Sequence, residues 1–184
     1  MKNYQKKAKS ISVKCGTNVS YIEDPDKIIL KSQRDVALSA GETNDCVVHA
    51  VAHVFEFGYK KAHDFCREFY KREKGRGVFG FRDIGLIGKK EKFDWAKEKY
   101  FSNHNISKVN TENKYRVRSE WSGKMQTKLR RMTLKSFLKN YPTGRFLLAF
   151  NNHAIAVIDG VVVGNGKWDA RRLRRPVEVA FEIK

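Results

Sequence analysis

A chain of 184 residues is long enough for one domain with a sizeable core, and 41% apolar with 12% aromatic residues excludes a disordered chain. Thirty-eight Lys and Arg against twenty Asp and Glu give a net charge of +18, which points to polyanion partners, nucleic acid among them, without fixing a fold or a reaction. Cys15, Cys46 and Cys66 are too few and too scattered for a disulfide framework. The longest apolar runs, such as Phe146 to Phe150 and Ala154 to Ile158, are strand-sized, well short of the ~20 residues that span a bilayer. With no apolar stretch after the basic N-terminus, the expectation is a reducing, cytoplasmic location and no membrane partner.

In chain order, residues 1–10 read as a flexible basic arm and 11–184 as a single domain. A short strand is expected over Ile11 to Lys14, a turn at Cys15 to Asn18, another at Glu23 to Asp26, and a strand at Ile28 to Leu30. Thr43, Asn44 and Asp45 are good helix caps, and the apolar run that follows predicts a buried helix from Asp45 to Phe57, stopped by Gly58. A second helix is expected from Tyr59 to Glu73, with Ala62, Phe65, Cys66, Phe69 and Tyr70 on one stripe; Cys66 there is a small buried hydrophobe. Gly75 to Phe81 lacks the strand and the Gly-Lys-Ser/Thr ending of a nucleotide loop, so a loop packed beside the site is expected. A helix over Lys89 to Phe101 follows.

Strands are expected at Ile106 to Val109 and Lys114 to Arg118, the latter with a basic outward face; otherwise 102–130 is polar and without clear period. Thr133 caps a helix over Leu134 to Asn140. Arg145 to Asn151 and His153 to Ile158 read as apolar strands, and Asp159-Gly160 as a two-residue hairpin turn returning through Val161 to Gly164. Arg171 to Arg175 is a basic turn, and Val177 to Ile183 a closing strand that alternates as if half-buried.

The chemistry centres on Cys46. A thiol in the first turn of a helix feels the positive end of the helix dipole, which favours the thiolate. A cysteine nucleophile needs a base, a group that orients the base, and oxyanion donors. His153 is the candidate base. The Asp159-Gly160 hairpin carries Asn165 back beside it as the orienter. The oxyanion donors would be the Cys46 amide plus an upstream side chain, Asn44 as the nearest or the longer amide of Gln33 if the intervening loop folds back. Cys46, His49 and His53 share one helix face and with His153 would make a zinc-type set. One helix rarely supplies three ligands and no His-Glu-x-x-His is present, so no metal and no cofactor are expected.

Asn44-Asp45-Cys46 opening a helix, Tyr59-Lys60-Lys61-Ala62-His63, Gly75-Arg76-Gly77, and His153-Ala154-Ile155-Ala156-Val157-Ile158-Asp159-Gly160 followed by Asn165 together resemble papain-like cysteine hydrolases, in particular small papain-fold proteins encoded by bacteriophages. The resemblance covers roughly 40–80 and 130–184. It implies an α+β, papain-like fold, with N-terminal helices packed on a C-terminal antiparallel β-sheet. It also implies a thiol-dependent hydrolase or acyltransferase acting on an amide, isopeptide or ester bond of a protein or peptide-like substrate, aimed at a host target. Cys46 would be the nucleophile, His153 the base and acid, and Asn165 the orienter. One departure is Ala40, which stands where many such enzymes carry an oxyanion Gln. The rival expectation is a non-catalytic protein on the same scaffold that binds nucleic acid or a host protein through Arg171, Arg172, Arg174, Arg175, Arg116 and Arg118.

Overall fold

The computed structural model describes residues 9–13, 17–23, 41, 43–78, 90–164 and 171–184. Its centre is made by the apolar runs near the C-terminus. They form β6 (Arg145–Phe150), β7 (His153–Ile158) and β8 (Val161–Gly164), joined by two two-residue turns. In the second turn Asp159 and Gly160 both take positive φ, 49° and 74°, the backbone that matches the right-handed twist of the flanking strands. β9 (Val179–Ile183) pairs antiparallel with β6, and β3 (Ile106–Val109) pairs antiparallel with β9. On the other side β8 takes β2 (Thr17–Glu23) in parallel, and β2 takes β1 (Lys9–Val13) antiparallel. The sheet order is thus β1-β2-β8-β7-β6-β9-β3.

Alternation divides the apolar strands between two layers. Leu147, Ala149, Ala154, Ala156, Ile158, Phe181 and Ile183 face a core built with α1 (Cys46–Val54), α2 (Tyr59–Tyr70) and α3 (Lys90–Tyr100). Phe146, Leu148, Phe150, Ile155, Val157 and Ala180 face a second core with α4 (Leu134–Asn140) and Leu173 of the 3-10 turn Arg172–Arg174. A strand covered on both faces has no polar side to show, which is why these runs are continuously apolar.

The α+β class expected from the sequence is therefore present, with four helices and a mainly antiparallel sheet among the described residues. Several local expectations change. Thr17 and Asn18 lie in β2 rather than in a turn, and β1 begins at Lys9, inside the stretch read as an arm. Gly58 is not the stop of α1; it is the extended N-cap of α2, with φ −69°, and the left-handed residue between the two helices is Glu56. The closing strand is not half-buried: Ala180 is fully buried in the second core, and Val177 lies before the strand. The strand expected at Ile28 to Leu30 lies outside the described residues. Among the described residues no helix is long and apolar enough to cross a membrane.

β4 (Glu112–Arg118) and β5 (Met125–Arg131) form a separate two-stranded ribbon. β5 went unread in the sequence because all seven of its residues are exposed, so no apolar period marks it.

Two glycines test the turns. A Cβ on Gly160 would lie 2.9 Å from the Pro142 carbonyl oxygen, on top of the cost of φ 74°. Gly123, at φ 65° in the ribbon turn, has nothing within 4 Å of the same position. Gly160→Ala should therefore cost clearly more than the roughly 1 kcal/mol of conformational strain, and Gly123→Ala about that strain alone, measured by urea unfolding. Equal losses would remove the steric argument.

Candidate active site

α1 is buried along its length: Val47 to Val54 are all buried, and only Cys46, its first residue, is half-exposed. A helix that is apolar all round belongs inside. Its N-terminus therefore presents the Cys46 side chain at the edge of the core.

The residue before it takes an unexpected role. Asp45 is the N-cap, yet its side chain makes no capping bond. The carboxylate turns inward, 4% exposed, where His49 Nε2 and the Tyr59 hydroxyl both donate to Oδ2, each at 2.9 Å. A buried carboxylate needs such donors, since desolvating a charge without partners costs several kcal/mol. The approach loop is held from a second side. Arg72, 4% exposed, donates from Nη2 to the Thr43 carbonyl at 3.0 Å and from Nη1 to His63 Nε2 at 3.0 Å. Thr43 Oγ1 and Asn44 Nδ2 both donate to the Gly75 carbonyl, at 2.9 and 3.3 Å. The glycine loop is thus packed against the residues that lead into Cys46, and Asn44 holds left-handed backbone there, φ 55°.

Sequence reasoning missed Asp45, Tyr59, His63 and Arg72 as positioning residues. One signal for them was present. Tyr59 and His63 stand four apart on α2, so both side chains lie on one helix face. His49 is fully buried on Asp45, and His53 is buried too.

Cys46 lies against β7. It packs at the rim of the core that Ala154 also lines, and Ala154 directly follows His153. The expectation of a helix-lowered thiol is corrected. Burial pushes the Cys46 thiol above its usual range, the Ala154 and Val47 backbones pull it back only partly, and the Asp45 carboxylate pushes it up again. Desolvation outweighs the helix terminus here.

His153 is half-buried at the start of β7. Its imidazole is held down at about 4, first by burial and then by the guanidinium groups of Arg175 and Arg172. Strand alternation sends it, with Ile155 and Val157, towards the α4 layer, while Ala154 turns to α1. The thiol thus lies on the α1 side of β7 and the imidazole on the α4 side, so the two are not brought together in this arrangement. Asn165, Gln33 and Ala40 lie outside the described residues.

The basic turn is partly structural. Arg175 donates from Nη2 to the Asn151 carbonyl at 2.5 Å, pinning the turn before His153, and sits 5.5 Å from the Phe150 ring centroid. Arg171 and Arg174 are exposed. Arg116 and Arg118 are exposed on β4, Arg118 bonding the Gly123 carbonyl through Nε. Cys66 is fully buried on the α2 stripe, as its position predicted, and burial drives its thiol far up.

No protein-family model matches the chain, and searches of curated proteins and of solved structures find no match.

Two measurements test this site's construction. Tyr59→Phe removes a donor to a buried carboxylate and should cost about 2 kcal/mol in urea unfolding; a change near zero would mean Asp45 does not depend on it. For His153, the unfolded imidazole binds a proton near 6.5 and the folded one only near 4. Its contribution to stability is whole above pH 6.5 and is lost as pH falls towards 4. His153→Gln should flatten the stability profile in that window; an unchanged slope would rule out His153 as its source.

Proposed function

We propose that the chain is a papain-like cysteine hydrolase or acyltransferase, acting on an amide, isopeptide or ester bond of a protein or peptide-like substrate. The observation that carries this reading is the half-exposed Cys46 thiol at the start of a buried helix, at the rim of the core that Ala154, the residue after His153, also lines. A reducing cytoplasmic setting, the host's if the protein is phage-encoded, fits the free thiols of Cys46 and Cys66.

In this proposal the His153 side chain leaves the α4 side of β7 for the Cys46 side and takes the thiol proton as the sulfur attacks the carbonyl carbon. The Cys46 amide and the second N–H of the Asn44 side chain receive the oxyanion. His153 then returns its proton to the leaving group, and water or another nucleophile releases the acyl group. Asn165 orients the imidazole. The low basicity that burial, and then Arg175 and Arg172, impose on His153 makes its protonated form a strong acid towards the leaving group. The rival reading, a papain-like scaffold without catalysis, draws support from the raised thiol and from the different faces taken by the two side chains.

Iodoacetamide alkylation followed by mass spectrometry separates the two. With His153 as base, His153→Ala should slow alkylation of Cys46 at pH 7 at least about tenfold, while buried Cys66 stays unlabelled in both proteins. Equal rates at Cys46 in wild type and variant would sink the pairing and favour the scaffold reading.

A further inference from the structure

The β4–β5 ribbon has no place in the site described above. From 112 to 131 it carries seven Lys and Arg against two Glu. Both cores lie on the main sheet, and the ribbon contributes only Met132, just past its end, to the second of them. Among the described residues it is anchored at its base alone. Asn113 Nδ2 donates to Ser136 Oγ at 2.9 Å, the Met132 amide to the Thr111 carbonyl at 2.7 Å, and Arg131 pairs with Glu178. Towards the tip the residues are exposed, ending in Trp121 at 99%. Among the described residues no ion pair engages Lys114, Arg116, Lys128 or Arg130.

The register sorts these cations. Lys114, Arg116 and Arg118 stand opposite Leu129, Thr127 and Met125 on one face; Tyr115 and Val117 stand opposite Lys128 and Gln126 on the other, with Arg130 beyond. Positive charge therefore runs along the whole length of the first face, through Lys114, Arg116 and Arg118, and along the base half of the second, through Lys128 and Arg130. Seven residues per strand make an element about 23 Å long.

We propose that this ribbon binds duplex DNA by lying in the major groove. A groove about 12 Å wide admits a two-stranded ribbon, and phosphates border it on both sides. Cations on both faces of the ribbon reach both phosphate rims, while Met125, Thr127 and Leu129 offer apolar contact to base edges. An A-form RNA major groove is too narrow for such an element. An anionic lipid surface would call for an apolar tip with cations behind it. Here the tip is Ser119-Glu120-Trp121-Ser122-Gly123-Lys124, polar apart from one side chain. A single strand would call for a run of stacking rings, and the ribbon has only Tyr115 and Trp121, six positions apart.

The test is fluorescence anisotropy with the full chain and a labelled random-sequence DNA duplex of about 20 base pairs, across a salt series. The triple variant Lys114→Ala, Arg116→Ala, Lys128→Ala is compared with a charge-matched control, Arg171→Ala, Arg174→Ala, Lys139→Ala, all six positions being exposed. The ribbon variant should lose at least about tenfold more affinity than the control, and its log K against log salt slope should shrink by about three. Cys46→Ala should bind as wild type, so this result stands apart from the hydrolase reading. Equal losses in the two triple variants would place binding on the general charge and overturn the proposal. So would binding of an RNA duplex, a single strand or phosphatidylglycerol vesicles as tight as that of the DNA duplex.

Discussion

Burying α1 is the constraint on which the rest of the chain depends. Eight consecutive residues, Val47 to Val54, have no contact with solvent to speak of, so the helix must be enclosed by β7 on one side and α2 on another. Each fully buried valine contributes about 1.5–3 kcal/mol, but the backbone direction and depth of the helix are then not negotiable. Ala154 and Ala156 on β7 are small because helix and strand approach each other there. The side chain at the helix mouth has one place to go, at the rim of the core.

Polar groups then have to follow the helix inside. Asp45 and His49 satisfy each other with Tyr59, and Arg72 satisfies the loop carbonyl in front of them. These bonds tie α2 to the N-terminus of α1, and the Gly75 carbonyl ties the glycine loop to the same point. The position of the thiol is therefore fixed by a polar network that contains no reacting group. The same enclosure that places Cys46 also raises its pKa, so position and ionisation pull in opposite directions at this residue.

Much of the fold was legible because the local signals were strong. Thr133 is a true cap, its side chain accepting from the Ser136 amide, and Asp159-Gly160 makes the hairpin that dipeptide announces. Cys66 on a three-and-four stripe is buried as the stripe requires. Other features depend on partners far along the chain. The inward turn of Asp45 is set by Tyr59, and the depressed His153 by its burial and then by Arg175 and Arg172, none of which a local window contains. β5 escaped for a different reason: a strand with every residue in solvent has nothing to alternate against. The side taken by His153 was likewise hidden, because a strand's first residue is named by sequence but its face is set by what covers the sheet.

The parallel pairing of β2 with β8 bears on how the molecule is assembled. Tyr21 meets Val162, and Ile22 meets Val163, so the chain must close its longest loop to add these strands. Loop-closure entropy comes before any reward from such contacts, which places this step late in folding. During synthesis the first two strands leave the ribosome long before their partner exists. They can form the β1–β2 hairpin, but its inner edge stays open until β8 arrives, an unpaired template in the nascent chain. The edge of β8 is in turn open until β2 docks. Completion of the sheet thus joins segments made far apart in time, and the interval between them is the time in which these strands are most exposed to mispairing.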